Sequence, residues 1–171
     1  TFNARFEELS EKASFKVPWA RGQRCIIPAI SFDEPNWETG RNVWWRFTRK
    51  DEAPWGLAGL WNTWLDRATG EVHESYTMLT VNADAHPLMR RMHKPDPKFG
   101  PDEQDKRSVV AIEPADVDLW LYGERDAVRE DGAAGLRAGD RTAGGCRAAG
   151  ACTDRRTRVL AGAGRPVDHA A

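Results

Sequence analysis

The chain has 171 residues, of which 40% are hydrophobic and 30% charged, and its formal net charge is −1. These values are ordinary for one globular domain with its own core, and no apolar run approaches the roughly 20 residues that span a bilayer. A net charge near zero gives no sign of a nucleic-acid partner, although a short basic groove would change it little. We therefore expect a cytoplasmic protein without a membrane-spanning segment.

The three cysteines, Cys25, Cys146 and Cys152, are an odd number without metal-ligand spacing. Such a set is typical of free thiols in a reducing compartment rather than of a disulfide framework or a zinc site. The sequence also contains neither a phosphate-binding glycine loop nor an HExxH metalloprotease motif. We therefore expect neither a metal ion nor another cofactor.

The predicted elements follow from the apolar runs and the turns between them. Short runs rich in β-branched and aromatic residues indicate strands, and an Asn or Asp ahead of a periodic segment indicates a helix start. In chain order we predict a buried strand at 24–30, a turn-rich segment at 33–40, a strand at 42–48, an apolar aromatic segment at 57–64, a turn at 66–70, a strand at 74–81, a short helix at 86–92, a polar loop at 94–106, a strand at 108–112 and a helix that begins at Pro114. The predicted fold class is α+β, with a mixed, mainly antiparallel sheet and short helices.

The composition changes near Tyr122, because every Trp, Phe and Tyr lies at or before that residue. Residues 123–171 are rich in Ala, Gly and Arg and contain few sizeable aliphatic side chains. Such a segment buries too little apolar surface to offset its conformational entropy. We therefore divide the chain into a folded domain at 1–122 and a low-complexity tail at 123–171, which is either disordered or the product of a shifted reading frame in a GC-rich gene.

Few single residues carry a functional signal by themselves. His93 follows the predicted helix and precedes a polar loop, a position from which an imidazole can reach a cleft and transfer protons near neutral pH. His86 lies beside Pro87 and is interpreted as a capping or surface residue. Trp44 and Trp45 point to opposite faces of their predicted strand. An exposed tryptophan near arginines suits stacking on single-stranded nucleic acid, whereas a buried one only fills the core.

Several segments, taken in order, resemble one protein family. They are Asn3-Ala4-Arg5 with Glu7, Arg24-Cys25-Ile26-Ile27-Pro28-Ala29, Phe32-Asp33-Glu34-Pro35 with Trp37-Glu38-Thr39-Gly40, Ala58-Gly59-Leu60-Trp61 with Trp64, Thr77-Met78-Leu79-Thr80 with Asn82-Ala83, and His86-Pro87-Leu88-Met89 with His93-Lys94-Pro95 and Asp105-Lys106-Arg107-Ser108-Val109-Val110. Together they cover about residues 1–121 and resemble the SRAP family (SOS response-associated peptidase), whose members shield abasic sites in single-stranded DNA. The resemblance implies the barrel-like SRAP fold, incomplete here at its N-terminus.

The resemblance also implies a chemistry and a partner. In this family an N-terminal cysteine condenses with the ring-opened aldehyde of an abasic site, and its amine and thiol close a thiazolidine that crosslinks protein and DNA. The implied partner is single-stranded DNA with an abasic site, bound by a monomer that is cytoplasmic and associated with the nucleoid. The implied setting is the SOS response to DNA damage, and the family's labels imply peptidase (hydrolase) and lyase-like activity.

The resemblance implies roles for particular residues of this chain. Asn3 orients the cysteine or the sugar, Glu34 moves protons during sugar opening and imine formation, and His93 assists sugar opening at the deoxyribose oxygen. Arg5 and Arg107 hold the phosphates beside the lesion, where a guanidinium fork suits the geometry. The predicted catalytic set is therefore acid–base in character, and the predicted DNA-binding set is cationic.

The chain departs from the family in two ways. It begins at Thr1 without the reactive cysteine, and Cys25 is no substitute because it lies inside a predicted strand and has no free α-amine. Asp33 stands where the family has an aromatic residue, so we expect a second carboxylate close to Glu34. Two alternatives to an abasic-site protein stay open. One is an inactive remnant with weak single-stranded DNA binding, and the other is a peptidase that acts on other proteins.

Overall fold

The computed structural model describes residues 3–49 and 51–128, which form an α+β fold. The strands are β1 (Asn3–Arg5), β2 (Arg24–Ala29), β3 (Phe32–Asn36), β4 (Val43–Phe47), β5 (Trp55–Leu65), β6 (Val72–Asn82), β7 (Arg107–Val109) and β8 (Ala111–Ile112), and the α-helices are α1 (Ala13–Ala20) and α2 (Val117–Tyr122). Short 3-10 turns lie at Phe6–Glu8, Met89–Arg91 and Pro114–Asp116. Within the described ranges, every helix is too short or too polar to cross a membrane.

A six-stranded sheet forms the frame of the domain. Its strands lie in the order β1, β6, β5, β2, with β7 paired to the end of β6 and β8 paired to the start of β5. Every pair is antiparallel except the parallel β1–β6 pair, and β3 and β4 form a separate antiparallel hairpin. The predicted α+β class with mainly antiparallel strands is confirmed, although the described strands do not close into a barrel.

The large sheet has apolar side chains on both faces, because successive residues of a strand point to opposite sides. On one face, Leu79 packs with Trp19 of α1 and Trp120 of α2. On the other face, Trp55 of β5 packs with Phe32 of the β3–β4 hairpin. The two helices therefore cover one side of the sheet, and the hairpin is held against the other.

β3 occupies part of the segment predicted to be turn-rich, and β4 is the strand predicted at 42–48. Phe32 stacks on Phe47 with ring centroids 5.1 Å apart, and it meets the ring of Trp55 at 5.4 Å. The indole N–H of Trp55 donates to the carbonyl of Phe47 at 3.3 Å. This aromatic burial and the pairing with β4 outweigh the turn preferences of the Asp, Pro and Asn residues in β3.

The other predicted strands are present with small shifts at their ends, and the segment 57–64 belongs to β5. The predicted strand at 108–112 is divided at Val110, whose N–H donates to Leu79 at 3.2 Å while its carbonyl accepts from Ala58 at 2.8 Å. Besides β3 and the 3-10 turn at Phe6–Glu8, the strand β1 and the helix α1 escaped prediction. β1 has only three residues, and α1 contains Pro18 and shows almost no separation of apolar and polar faces.

The helix predicted at 86–92 is only a 3-10 turn at Met89–Arg91. The Nδ1 atom of His86 accepts the backbone N–H groups of Leu88 at 3.2 Å and Met89 at 3.0 Å. His86 therefore caps this turn, and its ring nitrogen must be unprotonated to do so. Burial lowers the pKa of His86, which favours the same neutral form.

Packing continues past the predicted domain end at Tyr122. Val128 is 2% exposed and belongs to the same core cluster as Trp19 and Trp120. The carbonyl of Gly123 accepts a hydrogen bond from the Arg24 guanidinium at 2.6 Å. The rest of the predicted low-complexity tail, residues 129–171, lies outside the described residues.

We predict that His86→Leu destabilises the domain in a pH-dependent way. The substitution leaves two backbone N–H groups without their acceptor, which costs about 1–3 kcal/mol when the ring is neutral. The advantage of the wild type over the variant is complete above the ordinary histidine pKa of 6.5, and it declines as the pH falls through the lowered pKa of the folded protein. Urea unfolding followed by tryptophan fluorescence at a series of pH values measures this difference. A stability gap that does not change with pH would contradict the capping role.

Candidate functional site

Glu34 lies in the middle of β3, opposite Trp45 of β4. Its side chain is 13% exposed. Asp33 points to the other side of the strand, where Arg46 binds both of its carboxylate oxygens at 2.9 Å. The second carboxylate expected beside Glu34 is therefore turned away from it and neutralised by an arginine.

His93 approaches Glu34 from a different part of the chain. It follows the turn at Met89–Arg91 and has a left-handed backbone, with φ 62°. Its N–H donates to the carbonyl of Pro35 at 2.6 Å, and its own carbonyl accepts a hydrogen bond from the Lys106 ammonium at 2.7 Å. These two hydrogen bonds hold the unusual backbone conformation from both sides.

The imidazole of His93 contacts Glu34 directly. The distance from Nε2 to Oε2 of Glu34 is 3.1 Å, and Nε2 also lies 3.1 Å from the carbonyl oxygen of Arg107. The hydrogen bond with Glu34 raises the pKa of His93, against the opposing effects of burial and of the Lys106 charge. The pair therefore places an imidazole and a carboxylate side by side, and these are two groups that serve in general acid–base chemistry.

Arg5 and Arg107 converge on Asp105. Arg5 Nη2 is 2.7 Å from one carboxylate oxygen of Asp105, and Arg107 Nη1 is 3.0 Å from the other. Arg107 also donates to the carboxylate of Glu7 at 2.7 Å and to the carbonyl of Thr80 at 2.9 Å. The two guanidinium groups are thus adjacent, and both are engaged by carboxylates.

Asn3 shares a sheet face with Arg5. Asn3 lies opposite Met78 and Arg5 opposite Thr80 in the β1–β6 pair, while the intervening Ala4 is buried on the helix-covered face. Both polar side chains are therefore on the face that carries the β3–β4 hairpin. Contacts join the other four site residues, because His93 binds Glu34 and the carbonyl of Arg107, and Asp105 bridges Arg107 and Arg5. Asn3 is related to them only by its position in the sheet.

Sequence reasoning assigned no role to the residues that hold these side chains in place. Glu7 accepts the N–H of Asn82 at 2.7 Å as well as the Arg107 guanidinium, which ties the first residues of the described chain to the start of β7. Asp105 pairs with nearby Arg107 and also with Arg5, which is distant in sequence, and Lys106 binds the carbonyl of His93. Glu7, Asp105 and Lys106 lie in segments that carry the family resemblance, but the resemblance did not indicate their contacts.

Cys25 lies on β2, tightly against Gly59. A Cβ atom added to Gly59 would be 2.9 Å from the Cys25 sulfur. Burial raises the pKa of the Cys25 thiol, so the nucleophilic thiolate is disfavoured. Cys146 and Cys152 lie outside the described residues. Across residues 3–49 and 51–128, no cluster of three or more His, Cys, Asp or Glu side chains is placed to hold a metal ion.

The chain is similar to proteins of known sequence and structure over much of its length. It is 35% identical to abasic site processing protein YoqW of Bacillus subtilis over 105 residues, which is 61% of this chain and 45% of that protein. It is 30% identical to abasic site processing protein HMCES of Pongo abelii, over 48% of this chain and 31% of the relative. The chain therefore spans less than half the length of these relatives.

The fold has solved counterparts. A crystal structure of a protein from Bordetella bronchiseptica superposes with a TM-score of 0.66 and 41% sequence identity, covering 75% of this chain and 57% of that one. A model of the family described as SOS response associated peptidase (SRAP) matches residues 1–141. This match covers most of the sequence and includes every predicted site residue. The chain therefore belongs to the SRAP family.

Proposed function

We propose that this chain binds and processes abasic sites in single-stranded DNA. The observation that carries the proposal is the direct contact between Glu34 and His93, an acid–base pair assembled from distant segments. The named functions of YoqW and HMCES support abasic-site processing as its use. The DNA-damage setting of the SOS response and an association with the nucleoid are part of the same proposal.

The acid–base pair suits the opening of an abasic sugar. The closed deoxyribose is a hemiacetal, so opening removes a proton from the anomeric hydroxyl and adds one to the ring oxygen. In the proposed mechanism Glu34 accepts the first proton and His93, whose pKa is raised, donates the second. The product is an aldehyde, and the C–O bond broken is the one between the anomeric carbon and the ring oxygen.

The proposed covalent step requires an N-terminal cysteine. Its amine adds to the aldehyde and loses water to form an imine, and its thiol then adds to the imine carbon to close a thiazolidine. The proton released by the thiol is taken up by the ring nitrogen, so the step needs no external oxidant or reductant. Asn3 is proposed to orient the cysteine or the sugar from its position on the same sheet face.

Arg5 and Arg107 are proposed to hold the phosphates beside the lesion. Arg5 is the more available of the two, since its side chain is 50% exposed against 19% for Arg107. Asp105 contacts both guanidinium groups and occupies positions that phosphate oxygens would take. DNA binding therefore competes with Asp105 for these cations.

The peptidase alternative receives less support. A cysteine peptidase needs a reactive thiolate paired with a base, and burial raises the pKa of the Cys25 thiol. His93, the histidine best placed for acid–base work, is in contact with a carboxylate and a backbone carbonyl. Measurements of DNA binding and of crosslinking distinguish the inactive-remnant alternative from the main proposal.

We predict that the 171-residue polypeptide forms no stable crosslink with abasic single-stranded DNA. A thiazolidine needs an amine and a thiol on adjacent carbons, whereas a polypeptide prepared with Thr1 as its first residue offers an amine and a hydroxyl there. The measurement is a denaturing gel of the polypeptide with an abasic oligonucleotide and no borohydride. A heat-stable shifted band would show that another nucleophile acts.

When an N-terminal segment with a leading cysteine is added, crosslinking is expected to appear, and Glu34→Gln or His93→Ala is expected to slow it.

We predict that Asp105→Asn strengthens the binding of abasic single-stranded DNA by about 2–10-fold at low salt, because it frees Arg5 and Arg107 from a shared carboxylate. Fluorescence anisotropy with a labelled oligonucleotide at several salt concentrations measures the change. Arg5→Ala is expected to weaken binding and to reduce its salt dependence.

Asp102→Asn is the matched control for this prediction. Asp102 pairs with Arg90 at 3.1 Å and is 87% exposed, so the substitution removes the same charge away from the proposed phosphate site. It is expected to change affinity much less than Asp105→Asn. Equal effects of the two substitutions would mean that only net charge matters. Equal affinity for abasic and intact oligonucleotides would count against the proposed function itself.

A further inference from the structure

Lys106 is a buried lysine immediately next to the acid–base pair. It is 6% exposed, and its ammonium donates to the carbonyl of His93 at 2.7 Å. Burial of a lysine is unfavourable unless its charge is compensated and its N–H groups have partners. The position therefore indicates a specific role for this side chain rather than a chance surface contact.

The backbone of Lys106 is fixed by Asp84. The Asp84 carboxylate accepts the N–H of Lys106 at 2.9 Å and the N–H of Asp105 at 2.9 Å. Asp84 is itself held by Asn82 at the end of β6, whose side-chain amide donates to it at 3.1 Å and whose side-chain oxygen accepts its N–H at 2.9 Å. This carboxylate also supplies a negative charge near the buried ammonium. Lys106 is therefore anchored to the large sheet before its side chain reaches His93.

His93 depends on outside contacts to keep its conformation. A left-handed backbone is unfavourable for a residue with a Cβ atom, and His93 has φ 62°. One hydrogen bond, to Pro35, ties its N–H to β3, the strand that carries Glu34. The second, from Lys106, ties its carbonyl to the segment that leads into β7. These two hydrogen bonds hold His93 in the left-handed conformation, and its imidazole therefore reaches Glu34.

We propose that Lys106 is a positioning residue that holds His93 in the left-handed conformation and so keeps its imidazole on Glu34. The catalytic meaning of this role rests on the proposed function, but the positioning itself does not. Lys106 acts through the His93 carbonyl and needs no contact with DNA. Asp84 contributes to the same positioning, because its carboxylate binds the backbone N–H of Lys106 and so fixes the position of the lysine backbone.

The two effects of Lys106 on His93 have opposite signs, which makes them separable. As a tether, Lys106 maintains the contact with Glu34 that raises the pKa of His93. As a positive charge, it lowers that same pKa. The described ionisable groups nearest to the imidazole are Glu34 from β3 and Lys106 itself, while the Arg107 guanidinium is turned toward Glu7 and Asp105. Loss of the tether therefore lowers the pKa, and loss of the charge alone raises it.

The experiment is an NMR titration of the His93 imidazole in the wild-type chain and in Lys106→Met. We expect the pKa of His93 in the variant to fall toward its ordinary value of 6.5. Lys94→Met is the matched control. Lys94 directly follows His93, and its ammonium lies 5.4 Å from the centroid of the Trp37 ring, so the substitution removes the same charge without removing the hydrogen bond to the His93 carbonyl. This control is expected to leave the raised pKa in place. A His93 pKa that is unchanged or higher in Lys106→Met would overturn the positioning role.

A double-substitution cycle tests whether Lys106 acts through Glu34. Glu34→Gln is expected to lower the pKa of His93 by itself, and Lys106→Met is expected to add no further fall in that background. An equal fall in both backgrounds would overturn the proposal. If Lys106→Met does not fold, as judged by tryptophan fluorescence, Lys106→Arg and Lys106→Gln are titrated instead. Arg keeps the charge and a long donor, so it is expected to preserve the raised pKa, whereas the shorter Gln is not. The titration contains no DNA, so its outcome is independent of whether the proposed function holds.

Discussion

The pairing of β6 with three other strands is the constraint on which the candidate site depends. β1 lies parallel to β6 on one side, and on the other side β5 pairs with its first part and β7 with its last. This arrangement places Arg5 opposite Thr80 and Arg107 opposite Asn82, although the two arginines are far apart in sequence. A register shift of one residue in β1 would turn Ala4 out of the core and Arg5 into it. The burial of Ala4 therefore fixes the side on which the arginine emerges.

The polar side chains of the site are neutralised within the protein. Arg5 and Arg107 are bound by Asp105, Glu8 and Glu7, and His93 is bound by Glu34. These contacts keep the side chains ordered without a ligand, which reduces the entropy lost when one binds. They also make any anionic ligand compete with carboxylates for the same guanidinium groups. Selectivity for a phosphate over the existing carboxylates must therefore come from several contacts made at once, as a DNA backbone can supply.

The sequence was sufficient for the fold class and for most strands, because alternation and β-branched runs are local signals. It was insufficient where tertiary contacts decided the local structure. The polar segment that begins at Phe32 forms a strand because Phe32 stacks on Phe47 of the neighbouring strand. The helix expected at 86–92 is only a turn at Met89–Arg91, where the ring nitrogen of His86 accepts backbone N–H groups. The resemblance to a family supplied Glu34 and His93, whereas nothing local in the sequence indicates their contact. Asp105 and Lys106 were given no role because their contacts with Arg5 and with His93 form only in the folded protein.

The contact between Glu34 and His93 also bears on how the proposed chemistry could be repeated. Opening an abasic sugar leaves a proton on the carboxylate that accepted it and removes one from the imidazole that donated it. Two groups on separate walls of a cleft would each need to exchange protons with water before the next event. Here the carboxylate oxygen and Nε2 are 3.1 Å apart, which is within hydrogen-bond reach, so the proton can return directly from Glu34 to His93. The raised pKa of His93 favours that return, since the imidazolium beside a carboxylate is the stabilised state of the pair. The same path run in reverse closes the sugar again, so an acid–base pair in direct contact suits a reaction that is reversible until the thiazolidine forms.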